Sequence, residues 1–195
     1  MQEWQRNPIF VPSDSIKNAV MNTNKTYIAY DAEGVIDHVN SNLHLFHQLA
    51  DWQKRYPKRF RFINLGEIDF TSMHDDWVDS TVKTNFLRIM AEADNLLVIV
   101  SSHTVADSRM LNWQISRCVN RYHLPVIVAY AEETVLDETS VNKFWSRLPV
   151  KIKKYIGRDS ARMCHVPLTM DKLERALGTF SVRDNMYPWN STTIY

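Results

Sequence analysis

Glycine is scarce in this chain, with four in 195 residues. The first strand-like segment is followed by "DAEGVIDH" where a dinucleotide fold would place G-x-G-x-x-G, and no G-x-x-x-x-G-K-[ST] occurs. Dehydrogenase-type cofactor binding and P-loop phosphate transfer are therefore not expected. Ser101 and Ser102 lack the G-x-S-x-G elbow of a hydrolase, so acyl transfer is rejected. There are two cysteines, Cys118 and Cys164, with no CxxC pattern, which suits a reduced, cytoplasmic protein. No apolar run approaches the roughly 18 residues of a membrane span. The N-terminus carries no charged-then-apolar leader. Net charge is also nearly absent, at +1. The basic stretches "KRYPKRFR" and "KIKKYIGR" are read as solvated surface, and neither nucleic acid nor membrane is expected as a partner.

What is present is a regular alternation of strand and helix patterns. "TYIAY" (26–30), "RFRFINL" (59–65), "NLLVIV" (95–100), "LPVIVAY" (124–130) and "ARMCHVPL" (161–168) read as strands. The charged second one belongs near a sheet edge. "NLLVIV" is apolar throughout, as a strand buried on both faces requires. Between them lie helical stripes. Val39, Leu43, Phe46 and Ala50 mark a helix over about 40–55, and Val78, Val82, Phe86, Ile89 and Ala93 one over about 75–93, with Asp75 and Asp76 at its start. Leu111, Ile115, Cys118 and Tyr122 mark a third, capped by Asp107 or Ser108. Residues 141–148 read as a short helix, and 169–177 as the last, with Thr169 as N-cap and Gly178 as stop.

This order predicts an α/β fold: a doubly wound, flavodoxin-like sheet of about five mainly parallel strands with helices on both faces. The division is a lead-in segment (1–24), one α/β domain (25–178), and a C-terminal tail (179–195) that packs on it through Phe180, Tyr187 and Trp189. Ligands of such sheets bind beyond the carboxyl ends of the strands, where strand order reverses. In a 2-1-3-4-5 order the loops after "TYIAY" and "NLLVIV" leave neighbouring strands. His38, His44 and His47 approach metal-ligand spacing but lack a carboxylate or cysteine set, so no metal is expected. Cys118 reads as core.

The segments "YIAYD", "MAEADNLLVIVSSHT" and "SRMLNWQISRCVNRYHLPVIVAY", over about residues 25–130, resemble a TIR-like domain, and most of all the TIR-like proteins of the bacterial Thoeris anti-phage systems. The resemblance implies an NAD glycohydrolase or ADP-ribose cyclase. Such an enzyme breaks the nicotinamide–ribose bond and releases a cyclic or modified ADP-ribose as a signal to a downstream effector. NAD is then the substrate, no further cofactor is implied, and homo-oligomers are expected. The family's glutamate, often in W-x-x-x-E, falls at Gln114, and its tryptophan at Met110. Tyr30 and Asp31 would line one side of the nucleotide pocket. Ser101, His103 and Asp107 would line the other, with Trp113 alongside. A carboxylate suits that position because cleavage builds oxocarbenium-like charge on the ribose. Gln114 carries no charge. Three readings stay open: an engineered Glu→Gln change, a catalytically silent module that binds a nucleotide or assembles with a partner, or another carboxylate among Asp31, Glu33 and Asp107. A nucleoside deoxyribosyltransferase-like enzyme is a weaker alternative. From i,i+4 spacing, Met110 and Gln114 are expected on a face separate from the apolar stripe, with Gln114 at the rim of the cleft.

Overall fold

The run Asn95–Val100 forms the central strand β3, and all six of its residues are buried. Each Leu, Val or Ile so buried contributes about 1.5–3 kcal/mol, which anchors the sheet here. The computed structural model describes residues 9–10, 24–30, 42–65, 80–158, 160–183 and 192–194. In chain order its elements are β1 (Ile9–Phe10), β2 (Thr26–Ala29), α1 (Leu43–Arg55), α2 (Ser80–Met90), β3, α3 (Arg109–Tyr122), β4 (Val126–Tyr130), α4 (Glu138–Lys143), α5 (Val150–Arg158), β5 (Met163–Pro167), α6 (Met170–Thr179) and β6 (Thr192–Ile194). The sheet order is β1-β6-β5-β4-β3-β2, and every pairing is parallel.

The doubly wound α/β fold is as the sequence implies, with different edges. Segment 59–65 is not a strand. Its backbone makes one parallel bridge, Phe62 to Thr26, flanked by Thr26 N–H to Arg61 O (2.9 Å) and Ile63 N–H to Thr26 O (3.0 Å). Beyond that bridge a side chain takes the strand's place. Asn64 Oδ1 accepts from Ile28 N–H at 2.9 Å, and Asn64 Nδ2 donates to Ile28 O at 2.8 Å. An amide presents the same donor and acceptor as a peptide unit, so it caps the edge of β2 where the chain turns away. At the opposite edge two short strands were not expected. β1, in the lead-in, pairs with β6, in the tail, and β6 pairs with β5.

Two helical layers cover the sheet. Tyr122 Oη donates to Leu87 O, and Asn112 Oδ1 accepts from Lys151 N–H, so α2, α3 and α5 lie side by side. Arg59, just after α1, pairs with Asp171 and Glu174 of α6, joining the other layer. On α1 the buried residues are Leu45, Phe46 and Leu49, while Ala50 is exposed, so the stripe is rotated from the expected one. Val39, His38, Asp75, Asp76, Val78, Tyr187 and Trp189 lie outside the described residues. The short fourth helix starts earlier than read, because Asp137 Oδ1 accepts from Ser140 N–H at 2.7 Å. "KIKKYIGR" is largely a helix, α5, which was not expected.

Gly178 does not stop α6. The helix runs to Thr179, and side-chain amides take its terminal carbonyls: Asn24 and Asn95 donate to Leu177 O, and Asn95 to Phe180 O. With those acceptors satisfied, no left-handed glycine is needed. Phe180 is buried.

Candidate functional site

The cleft expected at the carboxyl ends of β2 and β3 lies where α1 and α3 begin. Ser108 caps α3, its Oγ accepting from Leu111 N–H at 3.3 Å. The preceding loop is held by its own side chains. Ser101 N–H donates to Thr104 Oγ1 (2.9 Å), Ser101 Oγ bonds to Asn42 Oδ1 at the head of α1, and His103 N–H donates to Ser101 Oγ (3.0 Å). A small recess opens between these elements, lined by Tyr30, Asn42, Phe46, Ile99, Thr104 and Leu111.

Gln114 departs from its expected place. It is fully buried, not at the rim. The covered face of α3 takes in Met110, Leu111, Gln114, Ile115, Cys118 and Val119, so the two faces read as separate are one broad buried surface. The sheet on one side and α2 beside it close over both. An amide is tolerated there because each end is satisfied. Gln114 Oε1 accepts from Tyr27 Oη at 2.7 Å, and Nε2 donates to Tyr30 O at 2.8 Å and to Met110 O at 3.4 Å. The orientation follows from the partners, since a backbone carbonyl can only accept.

The other expected residues divide into two groups. Tyr30, Ser101 and Met110 are buried around the strand ends. Tyr30 packs edge-on against Phe46 (6.1 Å) and Phe86 (6.0 Å), and so ties α1 and α2 to the end of β2. His103 and Asp107 are exposed on the outer loop. Trp113 is half-buried on another side of α3, with the Arg117 guanidinium 5.9 Å above its ring. Asp31 and Glu33 lie outside the described residues.

Three participants escaped the sequence reading. Tyr27 alternates along β2 so as to face α3, but nothing marked its hydroxyl as the partner of Gln114. Asn42 sits at the head of α1, and no motif singled it out. Glu132, just past β4, accepts from both Ser102 N–H (2.8 Å) and Ser102 Oγ (2.7 Å). It places a carboxylate at the strand ends, next to the loop after β3. His44 and His47 are exposed, and among the described residues no group of three His, Cys, Asp or Glu could hold a metal.

The family model of the Thoeris protein ThsB, TIR-like domain, matches residues 27–135. The chain belongs to this family. The matched span runs from β2 to the loop after β4, and so contains the recess, Gln114 and Glu132; β5, α6 and β6 lie beyond it. A crystal structure of a conserved protein from Enterococcus faecalis V583 is 12% identical, covering 79% of this chain and 96% of that one, with a TM-score of 0.49. Among curated proteins none matches. No helix among the described residues is long and apolar enough to cross a membrane.

Proposed function

We propose that this chain acts in anti-phage defence as a TIR-like module that receives NAD, or a nucleotide derived from it, at the carboxyl ends of β2 and β3, and binds it without efficient cleavage. Gln114 carries this reading. Both ends of its amide are consumed inside the protein, and it offers no negative charge to a ribose. Loss of an electrostatic stabiliser at the reacting centre lowers turnover by about 100- to 1,000-fold. The exposed Ser102, His103 and Asp107 supply polar contacts for phosphate or ribose hydroxyls without a catalytic base being required of them.

The test pairs a binding assay with a turnover assay on the same preparation. NAD is expected to raise the melting temperature of the whole chain, while mass spectrometry finds no nicotinamide released. If NAD neither shifts the melting temperature nor is consumed, the nucleotide reading fails and protein assembly is the better account.

One observation favours a second reading, in which the chain does cleave the nicotinamide–ribose bond. The Glu132 carboxylate stands at the end of β4 and is oriented by two bonds from Ser102. If nicotinamide is released, and Glu132→Gln abolishes that release while the NAD-induced thermal shift persists, Glu132 supplies the charge that Gln114 lacks.

A further inference from the structure

We propose that the outer surface of α3 and α5 is a binding face for single-stranded nucleic acid. The near-zero net charge of the chain hides how unevenly its cations are placed. α3 presents Arg109, Arg117 and Arg121, and α5 presents Lys151, Lys154 and Arg158. Neither helix contains an acidic residue. In the opposite layer, by contrast, Asp51, Asp171 and Glu174 are interspersed among the basic residues of α1 and α6. The six cations are exposed except Lys151, which is half-buried, and none has an acidic partner among the described residues. Asn112, which accepts from Lys151 N–H, sets the first turn of α5 against α3. Like charges gathered without counter-charges repel one another, and a polyanion that covers them relieves the repulsion while releasing its own counterions.

The aromatic residues decide for a single strand. The Arg117 guanidinium lies 5.9 Å over Trp113, that of Arg121 5.5 Å over Tyr122, and the Lys153 ammonium 6.0 Å over Trp145. All three rings are half-buried; Trp113 and Trp145 keep part of their surface open, while Tyr122 lies on the covered stripe with its hydroxyl on Leu87 O of α2. Rings interleaved with cations are the arrangement that stacks unpaired bases while the charges track the phosphates. A duplex hides its bases from such rings. A membrane surface fits less well, since it needs a helix with an exposed apolar face, whereas Ile152 and Tyr155 of α5 are buried.

The experiment measures the whole chain against a fluorescently labelled 20-nucleotide thymidine oligomer by polarisation. With about five phosphates neutralised, affinity is expected to fall about 100-fold between 50 and 200 mM salt. The triple variant Arg117→Glu, Lys151→Glu, Lys154→Glu is expected to bind at least 10-fold more weakly. The reversals Lys54→Glu and Lys58→Glu, exposed on the α1 side, should leave affinity unchanged. Thermal melts should match the parent's in both variants, so that a loss of binding is not a loss of fold. The same sequence as a duplex should bind more weakly than the single strand. The proposal is overturned by absence of binding at 50 mM salt, by equal loss in the two variants, by salt-insensitive binding, by a preference for duplex, or by capture on anionic phosphatidylserine vesicles without oligonucleotide binding.

Discussion

Replacing Gln114 by Glu should prove expensive in stability. The amide sits between a hydroxyl that can donate, Tyr27 Oη at 2.7 Å, and a carbonyl that can only accept, Tyr30 O at 2.8 Å. An ionised Glu at 114 would keep the first bond but set a charged oxygen against the Tyr30 carbonyl, with Met110 O nearby. A buried charge left without compensation destabilises by about 3–5 kcal/mol. The alternative is for the side chain to stay protonated and donate its hydroxyl to Tyr30 O. That route keeps the geometry but holds a proton that the unfolded chain releases near pH 4.3. At pH 7 it costs about 4 kcal/mol, from about 1.4 kcal/mol per pH unit. The sign is fixed: the folded-state pKa lies above the unfolded one, so stability relative to the parent falls as pH rises from about 4.3 until the folded group itself ionises. Urea unfolding of parent and Gln114→Glu should therefore differ by about 1 kcal/mol at pH 5 and about 4 kcal/mol at pH 7. A pH-independent difference under about 1 kcal/mol would sink the reasoning, because it would mean that the site accepts a carboxylate.

The same site makes a second prediction. Tyr27→Phe leaves Gln114 Oε1 buried without its donor and should destabilise by about 1–3 kcal/mol, measurable as a lowered urea midpoint. At the sheet edge, Asn64→Leu removes both bonds to Ile28 and exposes the β2 backbone; about 2 kcal/mol is expected to be lost, with faster amide exchange at Ile28. Burial pushes the His165 imidazole down to about 3, against about 6.5 when unfolded. The unfolded chain therefore takes up the proton first, and stability should decline by up to about 1.4 kcal/mol per unit as pH falls below about 6.5. A His165→Gln variant should show a shallower pH dependence between 6.5 and 4.5, and an unchanged slope would refute the assignment. Cys118 and Cys164 are buried, with burial raising both thiols, so alkylation by iodoacetamide should require unfolding.

Strands β2 to β5 were legible because each is a run of largely β-branched, aromatic or aliphatic residues, buried throughout. What flanks β2 and β5 was not. "RFRFINL" has strand composition, yet one residue of it, Asn64, does with its side chain what a further strand would do with its backbone, and composition carries no signal for that substitution. β1 and β6 are short, and their pairing joins residues nearly the whole chain apart, beyond the reach of local pattern. Gly178 misled for a similar reason: a helix end depends on what meets its carbonyls, and Asn24 and Asn95 approach from distant segments. At the site, helical spacing placed Met110 and Gln114 on one face correctly. It could not show how much of α3 would be covered, and the width of that cover separates a rim residue from a core amide.

That width also bears on why glutamine stands at 114. A glutamine exchanged into a site made for a carboxylate should find donors at both ends, because both oxygens of a carboxylate accept. Here one end meets a donor and the other meets carbonyl oxygens. The Tyr30 carbonyl closes β2, and its direction follows from the sheet register, with Ile28 paired to Leu97 and Ala29 to Val98. The acceptor opposite Gln114 Nε2 is thus the carbonyl of the residue that follows β2. The surroundings complement an amide, with a donor at one end and acceptors at the other. Charge for any bond cleavage would then have to come from elsewhere in the cleft, and Glu132 is the described carboxylate held in place at the strand ends. The two variants together decide the matter. If Gln114→Glu gains NAD cleavage at pH 7 while remaining folded, complementarity to the amide is incidental; if it loses stability with rising pH and gains no activity, the position belongs to the core.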